Sequence, residues 1–92
     1  MSNFEFIRDR LAELNPDALL ADGFEDALIG YVQRFCSTGH ILVALYDRTA
    51  CIRILVERDG MSWEGAEECF EYNTAGAYVG EHTPAFATIG PE

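Results

Sequence analysis

The chain has 92 residues, enough for one hydrophobic core, and we expect one domain over residues 1 to 92. Sixteen acidic residues face six basic ones, all arginine, and the formal net charge is −10. Direct binding of DNA, RNA or an anionic membrane surface needs the opposite charge, so the composition argues against these partners. Six Phe, four Tyr and one Trp predict a folded rather than a disordered chain.

The cysteines are odd in number and widely spaced, at Cys36, Cys51 and Cys69. With no C-x-x-C pair and only two histidines, the sequence predicts reduced thiols, no metal site and no cofactor. No stretch reaches the apolar length of a membrane span, and the N-terminus lacks the basic start and apolar core of a signal peptide. We therefore expect a soluble, cytoplasmic protein.

The first predicted element is a helix over residues 3 to 14. Residues 2 to 5 (SNFE) match the capping box that opens many helices. Apolar residues then recur at helical spacing until Asn15-Pro16 ends the run. The apolar stripe is narrow, which predicts a surface helix that packs across the rest of the fold.

Four apolar runs predict strands. They cover residues 19 to 21, 27 to 33, 41 to 46 and 85 to 89. Asp22-Gly23 is a strong turn signal between the first two runs and predicts a hairpin there. The run ILVALY at 41 to 46 is apolar throughout. Such a run is typical of a central strand covered on both faces, or covered on one face with the other in an interface.

Two consecutive helices are predicted at 48 to 58 and 63 to 76. Asp47 is well placed to cap the first, Gly60 to end it, and Ser62 to cap the second. Together the elements predict an α+β fold. Its small, mainly antiparallel sheet has the two consecutive helices packed on one face. The N-terminal helix is a third helical element of the fold.

The second of these helices has one acidic and one apolar side. On a helical wheel, one arc roughly 100° wide holds Glu64, Glu67, Glu68 and Glu71. The opposite side holds Trp63, Ala66, Phe70 and Ala77. No base lies between the glutamates, so each pair three or four residues apart should cost about 0.2 to 0.5 kcal/mol. The acidic arc is either a solvated outer face or a surface that binds a positively charged partner.

A second candidate site is the segment 73 to 84, whose small residues let backbones approach each other or a ligand closely. With the facing strand, this segment would form a pocket for a small ligand. Its polar groups would be Tyr46, Asp47, Asn73, Tyr78 and Glu81.

Enzymatic activity is not expected. Neither His40 nor His82 adjoins a nucleophile motif, and the chain has no P-loop or dinucleotide fingerprint. Glu81-His82 has the composition of an acid/base pair, but a surface turn explains it more simply. The acidic turn at 22 to 26 lacks the alternating ligands of a calcium loop.

Four segments resemble a group of short, acidic proteins encoded by bacteriophages and by prophage regions of bacteria. They are DGFEDALIG (22 to 30), LYD (45 to 47), CIRILVERDGMSWEGAEECFEYN (51 to 73) and AGAYVGEHTP (75 to 84). The similarity covers about residues 22 to 86, so the N-terminal helix lies outside it. No activity is known for that group, and no catalytic residue is carried over. The resemblance implies a phage accessory protein that acts in the cytoplasm of a bacterial host.

Two functional hypotheses follow. In the first, the protein is a non-enzymatic interaction module or inhibitor whose acidic helix face binds a basic surface of a host protein, for example by imitating the charge of nucleic acid. The alternative is a small-ligand-binding protein with its pocket at residues 73 to 84. A homodimer, in which the surplus of apolar residues forms the interface between two copies, is compatible with either hypothesis.

Overall fold

The computed structural model describes residues 3 to 37, 39 to 75 and 80 to 89. Its helices are α1 (Asn3–Leu14), α2 (Arg48–Asp59) and α3 (Trp63–Phe70), and its strands are β1 (Leu28–Cys36), β2 (Gly39–Asp47) and β3 (Ala85–Ala87). A 3-10 turn (Glu25–Ala27) precedes β1, and a π-helical turn (Glu71–Ala75) continues α3. The fold is α+β, as the sequence predicts.

The three strands form one mixed sheet in the order β1-β2-β3. β1 and β2 are an antiparallel hairpin, with Leu28 opposite Tyr46 at its open end. β3 runs parallel to β2, with Leu45 opposite Ala85. The predicted, mainly antiparallel sheet therefore needs a correction, because one of its two strand pairs is parallel. The connection from β2 to β3 carries both α2 and α3, and parallel strands require such a long crossover.

The hairpin lies later in the chain than predicted. Residues 19 to 21 form no strand, and the Ala21 amide instead donates a hydrogen bond to the Tyr46 hydroxyl at 2.8 Å. Gly23 does turn the chain, with a φ of 91°, but it leads into the 3-10 turn at Glu25–Ala27. β1 begins only after that turn and continues past the predicted strand end.

Both ends of α2 and the start of α3 match their sequence signals. The Asp47 carboxylate accepts hydrogen bonds from the Thr49 amide, at 3.0 Å, and from the amide that follows it. Gly60 ends α2 in the left-handed region, with a φ of 69°. The Ser62 hydroxyl caps α3 by accepting the Gly65 amide at 3.1 Å. The helix predicted over 63 to 76 is α-helical only to Phe70, where α3 ends. Position 76 lies outside the described residues.

One hydrophobic cluster joins the helices to the sheet. Its buried members are Leu11, Phe24, Ala27, Leu28, Ala44, Tyr46, Cys51, Ile52, Leu55, Ala66 and Phe70. The Phe70 ring lies edge to face against Phe24, at 6.3 Å between centroids, and against Phe86, at 5.1 Å. Such pairs stabilise a core by about 0.5 to 1.5 kcal/mol each beyond the buried area. Phe70 thus fixes which side of α3 faces inward.

Candidate functional site

α3 turns its glutamates away from the core, because Ala66 and Phe70 are fully buried. The four glutamates form an outward surface, which we call the acidic face, and its members are Glu64, Glu67, Glu68 and Glu71. Glu67 is half-buried and the other three are exposed. Trp63, which the wheel assigns to the apolar side, is instead 45% exposed and outside the hydrophobic cluster, since it begins the helix. Ala77 lies outside the described residues.

A basic side chain reaches the acidic face, although the sequence analysis found none between the glutamates. Arg48, at the start of α2, forms ion pairs with Glu71 and, at 3.5 Å, with Glu67. Its Nε–H donates a hydrogen bond to Glu71 Oε1 at 2.9 Å, and this bond is the main cause that raises the pKa of Arg48. Its guanidinium also lies 5.8 Å from the Phe70 ring centroid. Two of the four glutamates are therefore partly neutralised within the chain.

The other two glutamates, Glu64 and Glu68, form no ion pair with any residue that the structure describes. Exposed aromatic side chains stand at both ends of the acidic face. Trp63 precedes it at 45% exposure, and Tyr72 follows it at 88% exposure. Tyr and Trp are enriched at protein interfaces because they combine a large apolar area with a polar group. The face therefore offers both charge and apolar contact area.

Three of the residues predicted for the ligand pocket have other contacts among the described residues. Tyr46 is fully buried, and burial raises the pKa of its hydroxyl, which already accepts a backbone amide. The Asp47 carboxylate caps α2. Glu81 Oε1 accepts a hydrogen bond from the Ser37 hydroxyl at 3.0 Å. Tyr78 lies outside the described residues.

Asn73, the remaining member of that set, does line a cleft of about 340 Å³. The apolar walls of this cleft include Leu19, Phe24 and Phe86. Thr83 also lines it, but its hydroxyl already donates a hydrogen bond to a backbone carbonyl at 2.7 Å. The cleft thus combines apolar walls with the Asn73 amide group, and residues from both ends of the segment 73 to 84 line it.

His82 and Cys51, which lie outside the acidic face, contact other parts of the fold. Across the described ranges, no three His, Cys, Asp or Glu side chains are grouped to hold a metal ion. His82 Nδ1 lies 3.1 Å from Asn15 Nδ2. Burial, and secondarily the Asp47 charge, raise the pKa of the Cys51 thiol to about 12. Cys51 is therefore a neutral core residue near pH 7 and not an activated nucleophile.

Comparisons of the chain with models of known protein families, with curated proteins and with solved structures found no match. Over the described ranges, no helix combines the length and apolar character needed to cross a bilayer. The surface feature with the most distinctive chemistry is the acidic face between Trp63 and Tyr72.

Proposed function

We propose that the protein is a non-enzymatic interaction module that binds a basic surface of a host protein through the acidic face of α3. The observation that carries this proposal is the pair Glu64 and Glu68. Both are exposed, neither has an ion pair among the described residues, and exposed Trp63 and Tyr72 flank them. Aromatic anchors supply much of the affinity of protein interfaces, whereas charges set the association rate and the choice of partner.

The competing interpretation is a solvated outer face. It accounts for the glutamates, since acidic residues are common on exposed helix surfaces. A solvated face does not explain why two exposed aromatic residues flank the glutamates. One exposed aromatic residue alone would need no explanation. A partner with basic and apolar groups would use all of these side chains at once. The net charge of −10 would also attract such a partner over a long range.

The partner class that fits is a bacterial protein whose basic surface otherwise contacts nucleic acid. Such surfaces carry Lys and Arg placed to meet phosphates, and a row of carboxylates competes for the same groups. In this proposal the protein inhibits its partner in the host cytoplasm, as the resemblance to phage and prophage proteins implies. The proposal includes α2 and α3 on one face of the sheet, since both contribute buried residues to the cluster that contains Ala44 and Tyr46.

Capture of partners from bacterial lysate, followed by mass spectrometry, tests this function. Wild-type protein should retain its partner at about 0.1 M salt and lose it at about 1 M, because the Debye length falls from about 10 to 3 Å. Glu64→Gln/Glu68→Gln should lose the partner already at low salt. Asp17→Asn/Glu57→Gln is the matched control, since it removes the same charge from two other exposed positions. The control should bind like the wild type.

The proposal is wrong if the Glu64→Gln/Glu68→Gln protein keeps the same partners as the control. It is also wrong if the wild type captures nothing that salt displaces.

The cleft beside Asn73 supports a second candidate function, the binding of a small, mostly apolar ligand that pairs with an amide group. A ligand at about 100 times its dissociation constant would stabilise the protein by about 2.7 kcal/mol. Thermal unfolding with a library of small molecules would detect it. Stabilisation equal in the wild type and in Glu64→Gln/Glu68→Gln would exclude the acidic face as the binding site, and loss of stabilisation in Asn73→Ala would assign the binding to the cleft.

A further inference from the structure

β1 is the outer strand of the sheet, with β2 on one side and no described strand on the other. Such a strand presents a row of backbone N–H and C=O groups on its free side. Residues 29 to 35 make no backbone hydrogen bond to a helix or turn within the described ranges. The strand is nine residues long, whereas strands typically have about five or six. A long backbone edge is therefore open to pairing.

The sequence of β1 lacks most of the residues that protect an edge strand from pairing. Its sequence, LIGYVQRFC, contains no Lys and no Pro, and its one charged residue is Arg34. The Arg34 guanidinium donates hydrogen bonds to the carbonyls of Glu81, at 3.1 Å, and Thr83, at 2.7 Å, just before β3. The one irregularity in the pairing of β1 lies at its start, between Leu28 and Gly30. The rest of the edge carries no charge that would repel another strand.

Four large apolar side chains of β1 are exposed. They are Ile29 at 44%, Tyr31 at 38%, Val32 at 37% and Phe35 at 83%. With about 200 Å² for a large side chain, these fractions amount to about 400 Å² per copy. Two copies would bury at most about 800 Å² through these side chains, against about 1,200 to 2,000 Å² in a standard interface, because side chains above and below a paired edge stay partly exposed. Backbone pairing adds to this area, so the strand suits a weak, concentration-dependent contact.

We infer that β1 is a self-association surface, on which β1 of a second copy pairs antiparallel to form a continuous six-stranded sheet. A strand set antiparallel to itself is self-complementary, as a two-fold dimer requires. Charge also favours a second copy as the occupant. Two copies of net charge −10 repel each other least where the surface is uncharged, whereas a basic partner is drawn to the acidic face. The inference does not depend on the proposed function.

Sedimentation of the purified protein over a range of concentrations tests the dimer. Phe35→Lys places a charge on the edge at an exposed position, and it should weaken dimerisation by about tenfold or more. Phe6→Lys is the matched control, since Phe6 is 67% exposed and lies on α1. It should dimerise like the wild type. Circular dichroism checks that both variants are folded, and Ile29→Lys replaces Phe35→Lys if the latter loses helix signal.

The response to salt separates this inference from the proposed function. Self-association should strengthen between about 0.1 M and 1 M salt because screening reduces the repulsion between two acidic copies. Partner binding at the acidic face should weaken over the same range. A wild type that stays monomeric at its highest soluble concentration overturns the inference. Equal dimerisation of folded Phe35→Lys and Phe6→Lys overturns it too, since the contact then lies elsewhere.

Discussion

Replacement of Arg48 with methionine tests the bridge between α2 and the acidic face. Methionine retains an apolar stem beside Phe70 and removes the charge. The substitution therefore breaks the ion pairs with Glu67 and Glu71 while it changes little of the packing. It also leaves these two glutamates, four positions apart and therefore one turn apart on the same side of the helix, to repel each other.

The expected loss of unfolding free energy is about 1 kcal/mol. The side chains of Arg48 and Glu71 are 27% and 51% exposed, so solvent screens their pair. A pair of this kind contributes about 0.2 to 1 kcal/mol. The restored repulsion between Glu67 and Glu71 adds about 0.2 to 0.5 kcal/mol. For a domain of this size, 1 kcal/mol lowers the melting temperature by about 4 to 8 °C.

Thermal unfolding followed by circular dichroism measures this loss. Arg53→Met is the matched control, because Arg53 lies on the same helix, is exposed and has no ion pair within the described ranges. It should unfold within about 0.5 kcal/mol of the wild type. The deficit of Arg48→Met should shrink at high salt. Equal melting temperatures for the two variants at low salt would refute the bridge.

Two further predictions concern α2. Asp47→Ala should lower the unfolding free energy by about 1 kcal/mol, because the Thr49 and Ala50 amides lose their acceptor, whereas Asp47→Asn should retain most of the stability in urea unfolding. Burial raises the pKa of the Cys51 thiol from 9.0 to about 12, so the unfolded chain ionises at lower pH than the folded one. The unfolding free energy that depends on the buried, neutral thiol is fully present below pH 9.0 and is lost as the pH rises toward about 12. Urea midpoints should therefore fall over that window, and an equal fall in Cys51→Ala would exclude Cys51 as the cause.

The helices could be predicted because their signals are local. The sequence predicts α1 over 3 to 14, and the helix spans Asn3–Leu14. Asp47 and Ser62 act as caps because each side chain reaches amides only two or three residues ahead. The later part of the helix predicted over 63 to 76 departs from the prediction, since the π-helical turn after α3 keeps a helical sequence pattern while its hydrogen bonds change.

The strands could be predicted only in part, because pairing depends on residues far apart in the chain. Asp22-Gly23 carries a strong turn signal, yet the hairpin closes farther along the chain, where Cys36 pairs with Gly39. Residues 34 to 36, which follow the predicted strand end at residue 33, belong to β1 because an edge strand can carry exposed side chains, such as Phe35 at 83% exposure. The parallel direction of β3 follows from the path of the chain through α2 and α3, which no local pattern records.

The contacts of the acidic face also depend on residues far apart in the chain, so the sequence predicts them only in part. A helical wheel treats one helix at a time, so it finds four equivalent glutamates and misses Arg48 of the preceding helix. In the structure, Glu67 and Glu71 hold α2 against α3, whereas Glu64 and Glu68 have no ion pair among the described residues. Stability and the proposed binding therefore use different members of one face. A partner that needed all four would compete with Arg48, and a partner that needs only Glu64 and Glu68 can bind while the bridge stays intact.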